Sequence, residues 1–203
     1  MKRIARATLG LFALCSAPAF AQTRIAVLDF ELHDLTLLPR APEELERTAS
    51  VAPLLREALV NKDSYEAVLI DPDTQAKANV AFGYLFDHPE VAAELGQRFR
   101  ADWVAVGRLH KPSYLFAYLK VRLVNVKTRR LAGDFVVEVK GYLKKLTERG
   151  VVRLAEQIVR TINTEAEMLH SRGGTEVSVI SDFPGPRRRV TMVQFRTAGT
   201  LRW

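Results

Sequence analysis

Cysteine is nearly absent from this chain of 203 residues: Cys15 stands alone, near the amino terminus. A disulfide framework, a thiolate metal site and a cysteine nucleophile in the body are thereby excluded. Long apolar runs are also missing. The best candidate, Ala7 to Ala17, spans eleven residues interrupted by Thr8, Gly10 and Ser16, against the roughly 20 that a membrane-crossing helix needs. No transmembrane span is expected. Catalytic signatures are lacking too. Ser50, Ser64 and Ser113 sit in no Gly-x-Ser-x-Gly elbow, and the chain has no P-loop, HExxH or GxGxxG, so hydrolase, zinc-protease and nucleotide-binding readings have no support. The sequence implies no enzyme, no cofactor and no metal-ligand set.

What is present is ordinary globular material, with 48% hydrophobic, 26% charged and 8% aromatic residues, which excludes collagen-like, acidic-disordered and polytopic membrane classes. The net charge of +7 is unevenly placed. Lys2, Arg3 and Arg6 open the chain without an acid, residues 22 to 170 carry 21 bases and 21 acids, and residues 171 to 203 carry six arginines against Glu176 and Asp182. A neutral body argues against a nucleic-acid partner. The basic carboxyl-terminal stretch, 171–203, reads as a flexible tail capable of weak contact with an anionic surface.

The amino end reads as an export signal. A basic segment, a short apolar run and Ala19-Phe20-Ala21 form the pattern that a signal peptidase recognises, so residues 1–21 are expected to be removed and the mature protein to reside in the periplasm. Leu14 precedes Cys15 where a lipidated cysteine would follow a small residue.

The body, 22–170, alternates strands and helices. Arg24 to Glu31 is a compact β-prone run. Pro42 to Val60 reads as a helix, with Pro42 and the acids Glu43, Glu44 and Glu46 suited to its first turn and Leu45, Ala49, Ala52, Leu55 and Leu59 along one stripe. Tyr65 to Ile70 is a second strand, Pro72 opens a helix through Ala78, Pro89 to Phe99 forms another, and Asp102 to Leu109 is a third strand. Tyr114 to Val126 then alternates, with Leu115, Ala117, Leu119, Val121 and Leu123 on one face and Tyr114, Phe116, Tyr118, Lys120 and Arg122 on the other. Leu131 to Val139 repeats the pattern with Leu131, Phe135, Val137 and Val139 inward. Two registers give this hairpin an opposite-charge pair: Lys120 opposite Glu138, or Arg122 opposite Asp134. Lys144 to Leu169 closes the body as a helix with a stripe of Val151, Leu154, Ala155, Ile158 and Ile162. The expected fold is α/β: a single mixed sheet of three parallel strands extended by an antiparallel hairpin, flanked by helices.

Three stretches carry a resemblance: Arg24-Ile25-Ala26-Val27-Leu28-Asp29-Phe30, Ala101-Asp102-Trp103-Val104-Ala105-Val106-Gly107-Arg108-Leu109 and Val121-Arg122-Leu123-Val124-Asn125-Val126-Lys127-Thr128. They resemble the fold shared by the amino-terminal domain of TolB, the periplasmic part of CsgG and the lipoprotein activators of penicillin-binding proteins. Together with His88 to Gly96 and Gly107 to Pro112, the chain is more closely similar to exported bacterial families of unknown function related to that group. Relatives found beside quinoprotein alcohol dehydrogenase systems carry Cys-x-x-Cys near the position of Phe86 to Pro89. Asp87 and His88 stand there in this chain, so no thiol or metal role carries over. The resemblance implies a periplasmic interaction or assembly-accessory module whose partner is a periplasmic or envelope protein.

Two places could form a site. In open α/β sheets ligands gather at the carboxyl ends of parallel strands, where this sequence places His33 and Asp34, Asp71 and Asp73, and His110 and Lys111. Imidazoles with carboxylates suit a metal or small ligand, although Asp71 and Asp73 also suit helix capping. A carrier or sensor of such a ligand is the alternative function. The aromatic and basic stripe Tyr114, Phe116, Tyr118, Lys120 and Arg122 is the candidate partner face, unless a helix covers it.

Overall fold

The computed structural model describes residues 22–37, 41–62, 64–141 and 144–173. The expected signal peptide, Cys15 and nearly all of the expected tail lie outside them. The described residues divide into two units between Ala166 and Glu167. Among the described residues, six strands form one sheet in the order β3-β1-β4-β5-β6, with β2 pairing β4. The strands are β1 (Thr23–Val27), β2 (Glu31–Asp34), β3 (Tyr65–Val68), β4 (Trp103–Lys111), β5 (Phe116–Asn125) and β6 (Arg130–Lys140). The helices are α1 (Pro42–Val60), α2 (Pro72–Ala78), α3 (Tyr84–Asp87), α4 (Pro89–Arg98) and α5 (Lys144–Gly173). Pairings β1·β3, β1·β4 and β2·β4 are parallel, and β4·β5·β6 is antiparallel. The mixed α/β sheet expected from the sequence is therefore present.

Four local expectations are corrected. First, the run Arg24 to Glu31 is not one strand: it leaves the ladder at Leu28 to Phe30 and resumes as β2, still beside β4. Phe30 turns inward there, against Gly107 of β4. A Cβ on Gly107 would collide with the Phe30 ring, so the bend and the glycine require each other. Second, the buried stripe of α1 is Glu44, Thr48, Val51, Ala52, Leu55 and Leu59, leaving Leu45 43% exposed. Charge pairing rotates the helix, as described below. Third, Arg122 opposes Asp134, the second of the two expected registers, but Ala132 is an extra residue between Leu123↔Gly133 and Val124↔Leu131. This bulge reverses the alternation beyond it, so Leu131 is exposed instead of inward. Fourth, Tyr114 and Leu115 precede β5 in a bend, and Leu115 is exposed.

The α5 stripe expected from spacing is buried throughout, from Val151 to Ile162. It packs with α1 on the odd-numbered face of β4 and β5, around Ile25, Trp103, Leu109, Leu119 and Leu123. A second core on the opposite face joins Ala26, Leu28, Val104, Val106 and Val124 to Leu85, Phe86, Ala92 and Leu95 of α3 and α4. That second layer stops at Val106. Beyond it the even-numbered side chains Arg108, His110, Phe116, Tyr118 and Lys120 are half-buried.

Tyr65 anchors β3 to α5: its hydroxyl donates to Asn163 Oδ1 at 3.2 Å. Burial raises its phenol above the usual value. The stabilisation this represents is complete below about pH 10, where the unfolded phenol ionises, and is lost as pH rises through the higher folded value. Urea midpoints should thus decline above pH 10, and Tyr65→Phe should flatten that decline while costing about 1 kcal/mol at neutral pH for the lost hydrogen bond. An unchanged alkaline limb in the variant would refute the assignment.

Candidate functional site

The parallel register of β2 on β4 sets His33 beside His110 and Asp34 beside Lys111. Alternation then separates the pairs. The histidines face the uncovered half of the sheet, and Asp34 and Lys111 face the α1 side. The Nδ1 atoms of His33 and His110 are 3.1 Å apart. His33 is flanked by Phe82 at 5.5 Å between ring centroids and His110 by Tyr118 at 6.2 Å, with Phe116 a further 5.7 Å on. Burial first, then the positive charges of Lys120, His33 and Arg108, hold the His110 imidazole below its usual value and favour its neutral form.

On the α1 side Lys111 is almost fully buried, 3.5 Å from Asp34 and 3.4 Å from Glu44. Glu44 lies 3.5 Å from Arg47, whose Nε donates to Thr147 Oγ1 of α5 at 3.0 Å. Burial pushes the Asp34 carboxyl up, but the Thr36 N–H and hydroxyl together with the Lys111 ammonium outweigh it and leave its affinity for protons below normal. Lys111 is thus a neutralised structural cation and not an exposed ligand.

Asp71 and Asp73 do not join the histidines. Asp71 caps α2, accepting from Thr74 N at 2.8 Å, and Asp73 lies exposed in the same first turn. Among the described residues no three His, Cys, Asp or Glu side chains are placed to hold a metal.

Of the stripe, Phe116, Tyr118 and Lys120 lie on the uncovered half of the sheet. Arg122 is held at its border, donating to Phe86 O at 2.8 Å and Asp87 Oδ1 at 3.0 Å and lying 4.5 Å from the Phe86 ring centroid. Tyr114 is off the stripe, with Lys111 Nζ 5.4 Å from its ring centroid. Sequence reasoning missed Glu31, Phe82 and Arg108. Glu31 accepts from Asn79 and from the N–H of Gly83, and Arg108 is 3.4 Å from Glu31 and lies over the rings of Phe82 and Phe86. Only Gly83, whose φ of 78° suits glycine, marked that loop in the sequence.

Along the outer side of β2 runs a cavity of about 820 Å³, lined by Glu31 to Asp34, Phe82 and the α1 residues Leu45, Thr48, Ala49 and Pro53. Pro53 lies inside α1 and removes the N–H that the Ala49 carbonyl would otherwise accept, which adds a polar point to this wall.

These features define a class: exposed-edge α/β modules with one complete helical layer and one partial layer. Within it, the chain belongs to the DUF3280 family, whose model, described as a protein of unknown function (DUF2380), matches residues 23–159. No curated protein matches it. Among solved structures it is similar to TolB from Acinetobacter baumannii, with 11% identity and a TM-score of 0.46 over 70% of this chain and 28% of that one. A PelC dodecamer from Paraburkholderia phytofirmans gives 11% and 0.42 over 66% and 81%. The carboxyl-terminal domain of LpoB from Escherichia coli gives 15% and 0.41 over 62% and 88%. Among the described residues no helix is long and apolar enough to cross a membrane.

Proposed function

We propose that this is an exported periplasmic protein, processed after Ala21, that acts without catalysis as an interaction or assembly-accessory module for an envelope protein. The observation that carries the reading is the half-covered sheet. Helices α3 and α4 seal the even-numbered face as far as Val106 and Val124, and the same strands continue past that edge with Phe116, Tyr118 and Lys120 half-buried and uncovered by any described element. Aromatic rings with a basic rim on a rigid sheet suit protein contact. The sequence holds no Gly-x-Ser-x-Gly elbow, P-loop, HExxH or GxGxxG.

The test is cross-linked affinity capture from the periplasm, with mass spectrometry of the bait and of what it retains. The bait should begin at Gln22. Tyr118→Asp and Phe116→Asp should each lose the retained partner at least tenfold while keeping the thermal midpoint of the parent, since both side chains point away from Ala117, Leu119 and Val121. A partner retained by both variants would refute this contact face, and a bait still carrying Met1 would refute the export reading.

A further inference from the structure

We infer that His33 and His110 form a two-nitrogen chelate for a borderline divalent ion, copper(II) most tightly and zinc(II) or nickel(II) next. The two residues are direct partners in the β2·β4 ladder, so their spacing is fixed by backbone pairing and not by loop conformation. Their Nδ1 atoms lie 3.1 Å apart. An ion bonded to both at about 2.05 Å would see them at an angle of about 98°, between the square-planar and tetrahedral ideals.

The ring positions depart from a head-on hydrogen bond. Two imidazoles meeting head-on across that N···N distance would have centroids about 5.4 Å apart, whereas rings aimed at a common ion would have them about 4.8 Å apart. The observed separation is 4.9 Å, with the planes 46° apart. That separation matches the one a shared ion would give. Phe82 and Tyr118 stand beside the two rings.

When the ion binds, the ring protonated on Nδ1 must carry its proton on Nε2 instead, which frees both Nδ1 lone pairs. Two further coordination positions then remain for water or a small anion. The nearby cations Arg108 and Lys120 repel any divalent ion and so call for an anionic co-ligand, while two imidazole nitrogens with no oxygen donor disfavour a hard ion such as magnesium.

Thermal unfolding of the purified protein in copper(II), zinc(II), nickel(II) or magnesium chloride tests this. A midpoint rise is expected with the first three and not with magnesium, because an ion stabilises only through its affinity for the native state. His33→Gln and His110→Gln should each abolish the rise, and His88→Gln should keep it. No rise, or a rise that survives in both site variants, would overturn the inference. Imidazole NMR of the parent protein covers the case in which a variant fails to fold. Zinc(II) should move the resonances of both His33 and His110, and resonances left in place would overturn the site as well. Loss of partner capture by Tyr118→Asp would leave this result untouched, so the two readings fail separately.

Discussion

Lys111→Met is expected to lower the unfolding free energy by about 3–5 kcal/mol, the cost of stranding buried charge when one partner is removed. Lys111 sits between Asp34 and Glu44, and all three are nearly inaccessible to water. With the ammonium gone, two carboxylates share a space walled by α1 and the sheet. Arg47 can compensate only in part. It reaches Glu44 at 3.5 Å, while its own Nη2 and Glu44 Oε1 find no hydrogen bond. Methionine keeps much of the side-chain volume, so the loss reads charge and not a cavity. Urea unfolding measures it. Adding Glu44→Gln and Asp34→Asn should recover most of the stability, because removing all the stranded charges is far cheaper than removing one partner. A cost under about 1 kcal/mol would resemble an exposed pair and would contradict the burial.

Gly107→Val is the second large effect, with an expected loss of about 3 kcal/mol, at the upper end for overpacking a dense core. The Phe30 ring occupies the space where a Cβ would go, and Phe30 lies on the segment that joins β1 to β2. Relief would require pulling that segment from β4, which would also disturb the pairing of His33 with His110. The double variant Gly107→Val with Phe30→Ala should be more stable than the sum of the two single losses predicts. Simple additivity would show that the two residues do not compete for one space.

The sequence made some of this legible for local reasons. Pro42 and Pro72 start α1 and α2 where expected, because proline at a first helical turn costs no hydrogen bond, and the α5 stripe is complete because nothing but packing governs its spacing. The errors are tertiary. Helix α1 buries Glu44 and Thr48 instead of Leu45 and Ala49 because a lysine from another strand demands a carboxylate, and no window of local residues contains that demand. The Ala132 bulge leaves no mark on an alternation that reads smoothly from Leu131 to Val139. Sequence logic did bring His33 and His110 to the same strand ends. It also drew in Asp71 and Asp73, since it could not know that β3 pairs with β1 and stops short of β2.

The side chain of Gln75 accepts from the N–H of Asp29 and donates to its carbonyl, at 2.8 and 2.9 Å. One carboxamide thus imitates a neighbouring strand at the bend where β3 ends and β2 has not begun. It acts as a plug. A foreign strand seeking to zip onto this edge meets a filled position at Asp29 and finds only Glu31–Asp34 beyond it, a template too short to seed a stack of chains. In a crowded compartment, where every open ladder is an invitation to the wrong neighbour, a single glutamine keeps the broken edge from becoming a continuous one.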